Sequence, residues 1–338
     1  MTRFQRYFQK HPLSPCVKRL MSLPYTEQKS LEWLSEREKY ITASEIANCF
    51  NLTEEVIKPY VDEFRLWETF FPNPSKSAGK DGREKYIEKK GGLSDTFTGN
   101  QATRFGQRYE NIALRIYQQL KGWDVFEFGL VPHATCTFLG ASPDGCGVIG
   151  TLVEIKCPST RTPTGIPPFD YWCQMQSQME CCDADACDFF DASFVEYIDT
   201  KSWKEKALLW EKENPGARHH VFGMYHLSDG DVATFAPVSV SRVSDFEKWF
   251  DKEKQSAGVF ENIRPVYYHL HEYFVTPVKR NRKWFADRMG DISAVWREIL
   301  KRRALPKQSQ RETKLQKSVP SPKKRLTEDN IRHFKCLV

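Results

Sequence analysis

The chain's 338 residues include ten cysteines, at 16, 49, 136, 146, 157, 173, 181, 182, 187 and 336, but no C-x-x-C pair. The spacing that a zinc ribbon or a thioredoxin-like redox centre needs is missing. No apolar run approaches the roughly 18 residues of a membrane-spanning helix. The opening MTRFQRYFQKHPLSP has no uninterrupted apolar segment of the kind a secretory signal uses. An intracellular protein with reduced, mostly buried thiols and no membrane partner is therefore expected. No internal repeat is present. A surplus of positive charge is also missing from the body. Lys and Arg total 50 against 44 Asp and Glu, but residues 301–338 hold 12 basic and 3 acidic residues, which leaves 38 and 41 in residues 1–300. Affinity for polyanions is thus concentrated in a tail, and the body has carboxylates to spend on cations.

What the chain does have is apolar and aromatic material for a folded body: hydrophobic residues are 40% and aromatic residues 13%, as in globular domains. Four segments follow from composition. Residues 1–70 read as a helical region, with two helical pieces over 28–50, the second capped through Thr42 or Ser44 of TASE, and a third piece near 53–71. Residues 71–100 are rich in Pro, Gly, Ser and charge and read as an exposed insertion or linker. Residues 101–302 read as the core. A helix over 101–121 carries Tyr109, Ile112, Ala113, Ile116 and Leu120 on one stripe, with Glu110 at its edge. Strands are predicted near 123–131, 134–139, 145–149, 151–157, 188–198, 219–227 and 231–237. Helices are predicted from about 169, over 242–255 and over 281–302. Residues 303–338 read as a basic, disordered tail whose PSPKKR segment suits an import receptor or nucleic acid. The fold class is α/β, with a mixed central sheet flanked by helices.

Chemistry concentrates in GASPDGCGVIGTLVEIKCP, residues 140–158. On a strand over 151–157, Glu154 and Lys156 share one face while Val153, Ile155 and Cys157 take the other. A hairpin would bring Asp144 beside Glu154. Paired carboxylates suit a hard divalent cation, and a neighbouring lysine suits a developing phosphate charge. Alternating charges are also ordinary on an exposed strand, so E-x-K alone decides nothing. Elsewhere, His133, His219 and His220 have no ligand partner at metal spacing, and Trp203 and Trp210 suit packing better than base stacking.

Taken together, SPDG at 142–145 and LVEIKCP at 152–158 resemble the central motif of the PD-(D/E)-x-K nuclease superfamily, and more closely its phage lambda exonuclease and viral recombinase group. The resemblance covers roughly residues 30–200. It implies Asp144, Glu154 and Lys156 as catalytic residues, with Glu110 of FGQRYENIA as a supporting acid. Metal ligation would fall to Asp144, Glu154, the Ile155 carbonyl and Glu110, for Mg²⁺ with Mn²⁺ able to substitute. WLSEREKYITASEIA at 33–47 resembles the group's amino-terminal signature and assigns Arg37 and Ser44 to a DNA 5′-phosphate. YWCQMQSQM resembles its glutamine-bearing helix; helical spacing favours Gln176 as the active-site residue and leaves Gln174 to solvent or DNA. The implied activity is Mg²⁺-dependent exonuclease digestion of linear duplex DNA from a 5′-phosphorylated end. It would leave 5′-phosphate products and a 3′ single strand for recombination or repair. A strand-annealing or recombination protein, a homo-oligomer and a nuclear or viral replication-site location belong to the same expectation. Three alternatives remain open: a structure-specific endonuclease; an iron–sulfur nuclease using Cys157, Cys173, Cys181 or Cys182, and Cys187; and a non-catalytic nucleic-acid binder.

Overall fold

A computed structural model describes residues 12–66, 80–92, 101–216, 222–227, 233–237, 240, 242–256 and 264–305. The tail beyond 305, His219, His220 and much of 71–100 lie outside the described residues.

The amino-terminal region begins with helices α1 (Pro15–Met21) and α2 (Leu31–Arg37), each capped by a serine side chain, Ser14 or Ser30. Strand β1 (Ile41–Thr42) leads into a 3₁₀ helix (Ala43–Cys49) and α3 (Glu54–Phe64). Thr42 is the N-cap of the 3₁₀ helix, and the Glu45 side chain accepts from its backbone N–H at 3.2 Å. This is the reciprocal half of a capping box, legible in TASE. Helix α4 (Lys80–Lys90) occupies part of the segment expected to be an exposed insertion. Its Tyr86 and Ile87 are buried in the main core, because Gly- and Lys-rich composition hid two apolar anchors one residue apart.

Helix α5 (Gln101–Lys121) precedes β2 (Val125–Phe126), β3 (Val131–Pro132), β4 (Leu139–Ala141), β5 (Gly145–Gly147) and β6 (Leu152–Lys156). Helix α6 (Phe169–Cys182), β7 (Ala186–Tyr197), α7 (Thr200–Glu213), β8 (Phe222–Leu227), β9 (Ala233–Phe235), α8 (Val243–Ser256), β10 (Arg264–Lys279) and α9 (Arg282–Arg303) follow. Among the described residues the main sheet has seven strands in the order β2-β5-β6-β7-β10-β8-β9, beside a small β1-β4-β3 sheet. Within the main sheet only β6–β7 runs parallel among the described residues; the other pairs are antiparallel. The expected mixed α/β architecture is what the chain forms.

Alternation along β6 divides the molecule. Val153, Ile155 and Cys157 pack with Tyr109, Ile112, Ala113 and Ile116 of α5, while Leu152 joins the core shared by α6 and the amino-terminal helices. Tyr109 fixes α5 to the sheet: its ring stacks on Phe194 at 4.4 Å and meets Tyr268 and Tyr225 edge-on. A third cluster, around Trp203, Met224 and Phe246, closes the β8–β10 end. Trp203 is thus core, as expected. Cys157 lies in the α5 core and Cys173, Cys181, Cys182 and Cys187 in the α6 core, and among the described residues no three of these thiols come together as a metal or cluster site needs.

Candidate active site

The SPDG turn is built for close approach. Gly145 pairs with Val153, and a Cβ there would lie 2.3 Å from Val125 Cγ1. No side chain fits without displacement. Gln28 Nε2 donates to the Pro143 carbonyl at 3.0 Å, and Trp33 Nε1 donates to Ser142 Oγ at 3.0 Å, so the amino-terminal region holds the turn. With Gly145 opposite Val153, the hairpin register sets Asp144 beside Glu154, as the sequence predicts. Asp144 Oδ2 accepts the Ile155 backbone N–H at 2.6 Å.

Glu154 is 1% exposed. Its Oε1 accepts from Gln174 Nε2 at 2.7 Å and pairs with Lys156 Nζ; its Oε2 accepts from Gln178 Nε2 at 2.6 Å. A buried carboxylate without such donors would be costly. Gln174 and Gln178 are four residues apart on α6 and so share the face turned toward β6. Gln176 points to the other side: its amide donates to the Lys279 carbonyl at 2.8 Å and accepts from Asn281 N–H at 2.7 Å. The expectation for these glutamines is therefore reversed. Gln176 ties β10 to α9, and Gln174 reaches the carboxylate. Both faces of α6 are buried, so a glutamine near an apolar stripe is not thereby aimed at the site.

Burial, Glu154 and Glu110 together push the Asp144 carboxyl well above the ordinary range, against the opposing influence of Lys156 and the Ile155 N–H. Burial disfavours the Lys156 ammonium, but Glu154, Asp144 and Tyr171 outweigh it and raise its pKa. Its Nζ lies 4.8 Å from the centre of the Tyr171 ring. Glu110, on α5, pairs with Lys29 at 3.0 Å and leans over the site without joining Glu154.

Two cavities meet at Glu110 and Ile155. One, of about 190 Å³, includes Asp144 and Lys29; the other, of about 580 Å³, includes Ser44, Lys156, Tyr171, Gln174 and Arg161. Arg37 stands beside Ser44, donating to its Oγ at 3.2 Å and to Thr42 Oγ1 at 3.4 Å, with its guanidinium 4.3 Å from the Trp33 ring. Among the described residues Arg37 makes no ion pair. Arg161, which motif reading passed over, forks onto fully buried Asp191 with bonds of 2.5 and 2.7 Å and lines the same cavity. Its signal was a lone cation five residues after Lys156. His133 accepts from the backbone at Thr135 and Cys136 and lies outside the cavity.

Among the described residues, no group of three or more His, Cys, Asp or Glu side chains could hold a metal ion unaided. The donors available at the hairpin are Asp144, Glu154 and the Ile155 carbonyl, all oxygen, with Glu110 nearby. The buried Asp144 carboxyl, whose proton affinity is raised by burial and by the neighbouring Glu154, fits beside a hard divalent cation, which would relieve the repulsion.

Residues 32–185 match the model of the YqaJ-like viral recombinase domain. The likeness to the viral recombinase group expected from the motifs holds over this segment, which contains Arg37, Ser44, Glu110, Asp144, Glu154, Lys156 and the three α6 glutamines. An uncharacterized protein of Acanthamoeba polyphaga mimivirus is 25% identical over 323 residues, 83% of this chain and 54% of the relative. The chain thus spans about half the length of that curated relative. Among solved structures, an alkaline exonuclease from Laribacter hongkongensis is 22% identical over 85% of this chain and 100% of its own, with a TM-score of 0.47. A phage-related exonuclease from Haemophilus somnus is 11% identical over 77% of this chain and 93% of its own, with a TM-score of 0.41. Among the described residues no helix is long and apolar enough to cross a membrane.

Proposed function

We propose that the chain is a metal-dependent deoxyribonuclease that digests one strand of linear duplex DNA from a phosphorylated 5′ end, leaving 5′-phosphate products and a 3′ single strand for recombination. The observation that carries this reading is the shared cavity. Ser44, with Arg37 against it, lines the same space as Lys156, Gln174 and the Ile155 backbone beside buried Glu154. An end-binding group and a hydrolytic group are thereby within one substrate's reach.

Asp144, Glu154 and the Ile155 carbonyl would hold Mg²⁺, or Mn²⁺ in its place, with Glu110 at the edge of the set. When bound, the cation would supply Lewis-acid polarisation of the scissile phosphate and neutralise the leaving 3′ oxygen. The protein's own groups do the rest. Gln174 and Gln178 fix the Glu154 carboxylate so that it need not reorganise. Lys156, held protonated by two carboxylates, donates to the phosphate and helps position the attacking water, whose proton is released to solvent as its bond to phosphorus forms and the bond to the 3′ oxygen breaks. Arg37 and Ser44 grip the terminal phosphate, for which a guanidinium without a carboxylate partner is suited. Arg161, braced by Asp191, offers a further cation to the DNA backbone.

The test compares 5′-phosphorylated linear duplex, linear single strand and covalently closed circle in Mg²⁺. Digestion of the linear duplex alone, abolished to below about one-thousandth by Glu154→Gln, is the expected result. Cleavage of the closed circle would replace this reading with an endonuclease, and normal activity of Glu154→Gln would remove Glu154 from the chemistry.

A further inference from the structure

Helix α4 is tied to the Arg37–Ser44 corner through the Glu45 carboxylate of the 3₁₀ helix. Glu45 sits one residue beyond Ser44 and takes four kinds of donor: the Thr42 N–H, the Thr42 hydroxyl at 2.8 Å, the Tyr86 hydroxyl at 3.3 Å and Lys90 Nζ at 3.0 Å. Tyr86 and Lys90 are four residues apart on α4, so one helical face delivers both. The Lys90 side chain is 4% exposed, and its ammonium also donates to the Arg37 carbonyl at 3.1 Å. Farther along, Arg303 of α9 donates to the Lys90 carbonyl at 2.9 Å and to the Glu38 carbonyl at 2.9 Å, which braces α4 against the end of α2.

This arrangement explains an otherwise odd feature of Arg37. A largely enclosed guanidinium near a carboxylate ordinarily forms an ion pair with it. Here the carboxylate is already held by a buried ammonium, and Arg37 leans on two hydroxyls instead. If Glu45 were released from Lys90, its negative charge would compete with an incoming phosphate for Arg37, and would also repel that phosphate.

We propose that Lys90 is a positioning residue for 5′-phosphate selectivity: by neutralising Glu45 and holding the Arg37 backbone, it keeps the guanidinium available to the DNA end. The inference rests on the reading of Arg37 and Ser44 as the phosphate pocket. The role differs from a scaffold's because it depends on a charge that can be removed from either side. Lys90→Met leaves Glu45 opposed to the phosphate, whereas Glu45→Gln combined with Lys90→Met removes both charges together and leaves Arg37 facing a neutral amide.

The experiment measures equilibrium binding of full-length protein, in the Glu154→Gln background, to duplexes ending in a 5′-phosphate or a 5′-hydroxyl. The ratio of the two affinities is the readout. Wild-type Lys90 is expected to favour the phosphate, Lys90→Met to lose about tenfold of that ratio, and the double variant to recover it to within about threefold, tenfold corresponding to about 1.4 kcal/mol. Circular dichroism melts identify a variant that fails to fold; since removing both members of a buried pair restores stability whatever their role, the affinity ratio of the folded double variant, and not its melt, then decides. A parent protein that treats both ends alike would overturn the phosphate pocket itself. A parent that discriminates, with Lys90→Met discriminating equally or the double variant no better than the single, would overturn the role of Lys90 and leave the pocket standing.

Discussion

At the scale of single residues, the site is defined by who satisfies Glu154. Gln174 and Gln178 hold its two oxygens from one face of α6, while Gln176, two residues from each, serves the β10–α9 corner. Losing Gln174 should therefore lower kcat by about 10- to 100-fold with little change in Tm, the scale of a lost orienting partner. Gln176→Ala should cost about 1–3 kcal/mol of stability through unpaired backbone groups while sparing kcat. Steady-state kinetics beside thermal melts would separate the two, and the opposite pattern would restore the sequence-based choice of Gln176. Asp144 yields a pH prediction. Burial and its acidic neighbours raise its folded pKa above the roughly 3.9 of an unfolded aspartate. The folded state then binds more protons than the unfolded state, so stability is lost as pH rises from about 4 through the folded value. In EDTA, Asp144→Asn should remove that decline and raise Tm at pH 8 by about 2 °C or more. Added Mg²⁺ should stabilise the parent but not the variant. A parent whose melting in EDTA is flat over this range would contradict the assignment.

At the scale of elements, period and punctuation carried most of what could be read. The α5 stripe, the β6 alternation and the TASE cap all lie where spacing predicts them, because each is set by local periodicity with one buried face. The longest strand among the described residues was not legible: β10, at 16 residues, is absent from the predicted set although it pairs with both β7 and β8. Pro265 and Pro277 punctuate it, and a register shift between Leu270 and Glu272 breaks the alternation that marks a strand. Its role comes from long-range pairing, which no local window contains. Helix α4 was hidden for a related reason, since its anchors act on distant partners. The seam between α5 and the sheet is a tractable target. Tyr109→Ala removes a fully buried ring that touches Phe194, Tyr225, Phe235 and Tyr268. It should cost about 3–5 kcal/mol, as large aromatic truncations do. Urea denaturation would measure this, and a loss below about 1 kcal/mol would mean that α5 is held by other contacts.

At the scale of the whole molecule, charge takes a sharper form once α9 is seen to run to Arg303. Lys301, Arg302 and Arg303, counted with the tail by composition, belong to that helix, where Arg302 pairs with Glu84 at 2.8 Å and Arg303 donates to the Lys90 carbonyl. Residues 1–305 then hold 41 basic and 41 acidic residues, and the entire net charge of +6 falls in residues 306–338. Residues 1–305 are neutral overall, so under the proposed function their attraction to DNA would come from local cations such as Arg37, Lys156 and Arg161, which border one cavity or its rim. We expect residues 306–338 to act as an electrostatic tether. Truncation after Leu305 should weaken DNA association in low salt and make the dependence of log K on log salt concentration shallower, since each lost phosphate contact removes about 0.9 from the slope. Turnover of short duplex already saturated with protein should stay within about twofold, because counterion release governs association and not the hydrolytic step. Cutting before Lys301 is a different experiment, for it would free α4 and disturb the Glu45 contacts beside Arg37. If truncation after Leu305 abolished hydrolysis of saturated duplex, the tail would have to act within the cavity, and the separation of a neutral catalytic body from a charged tether would fail.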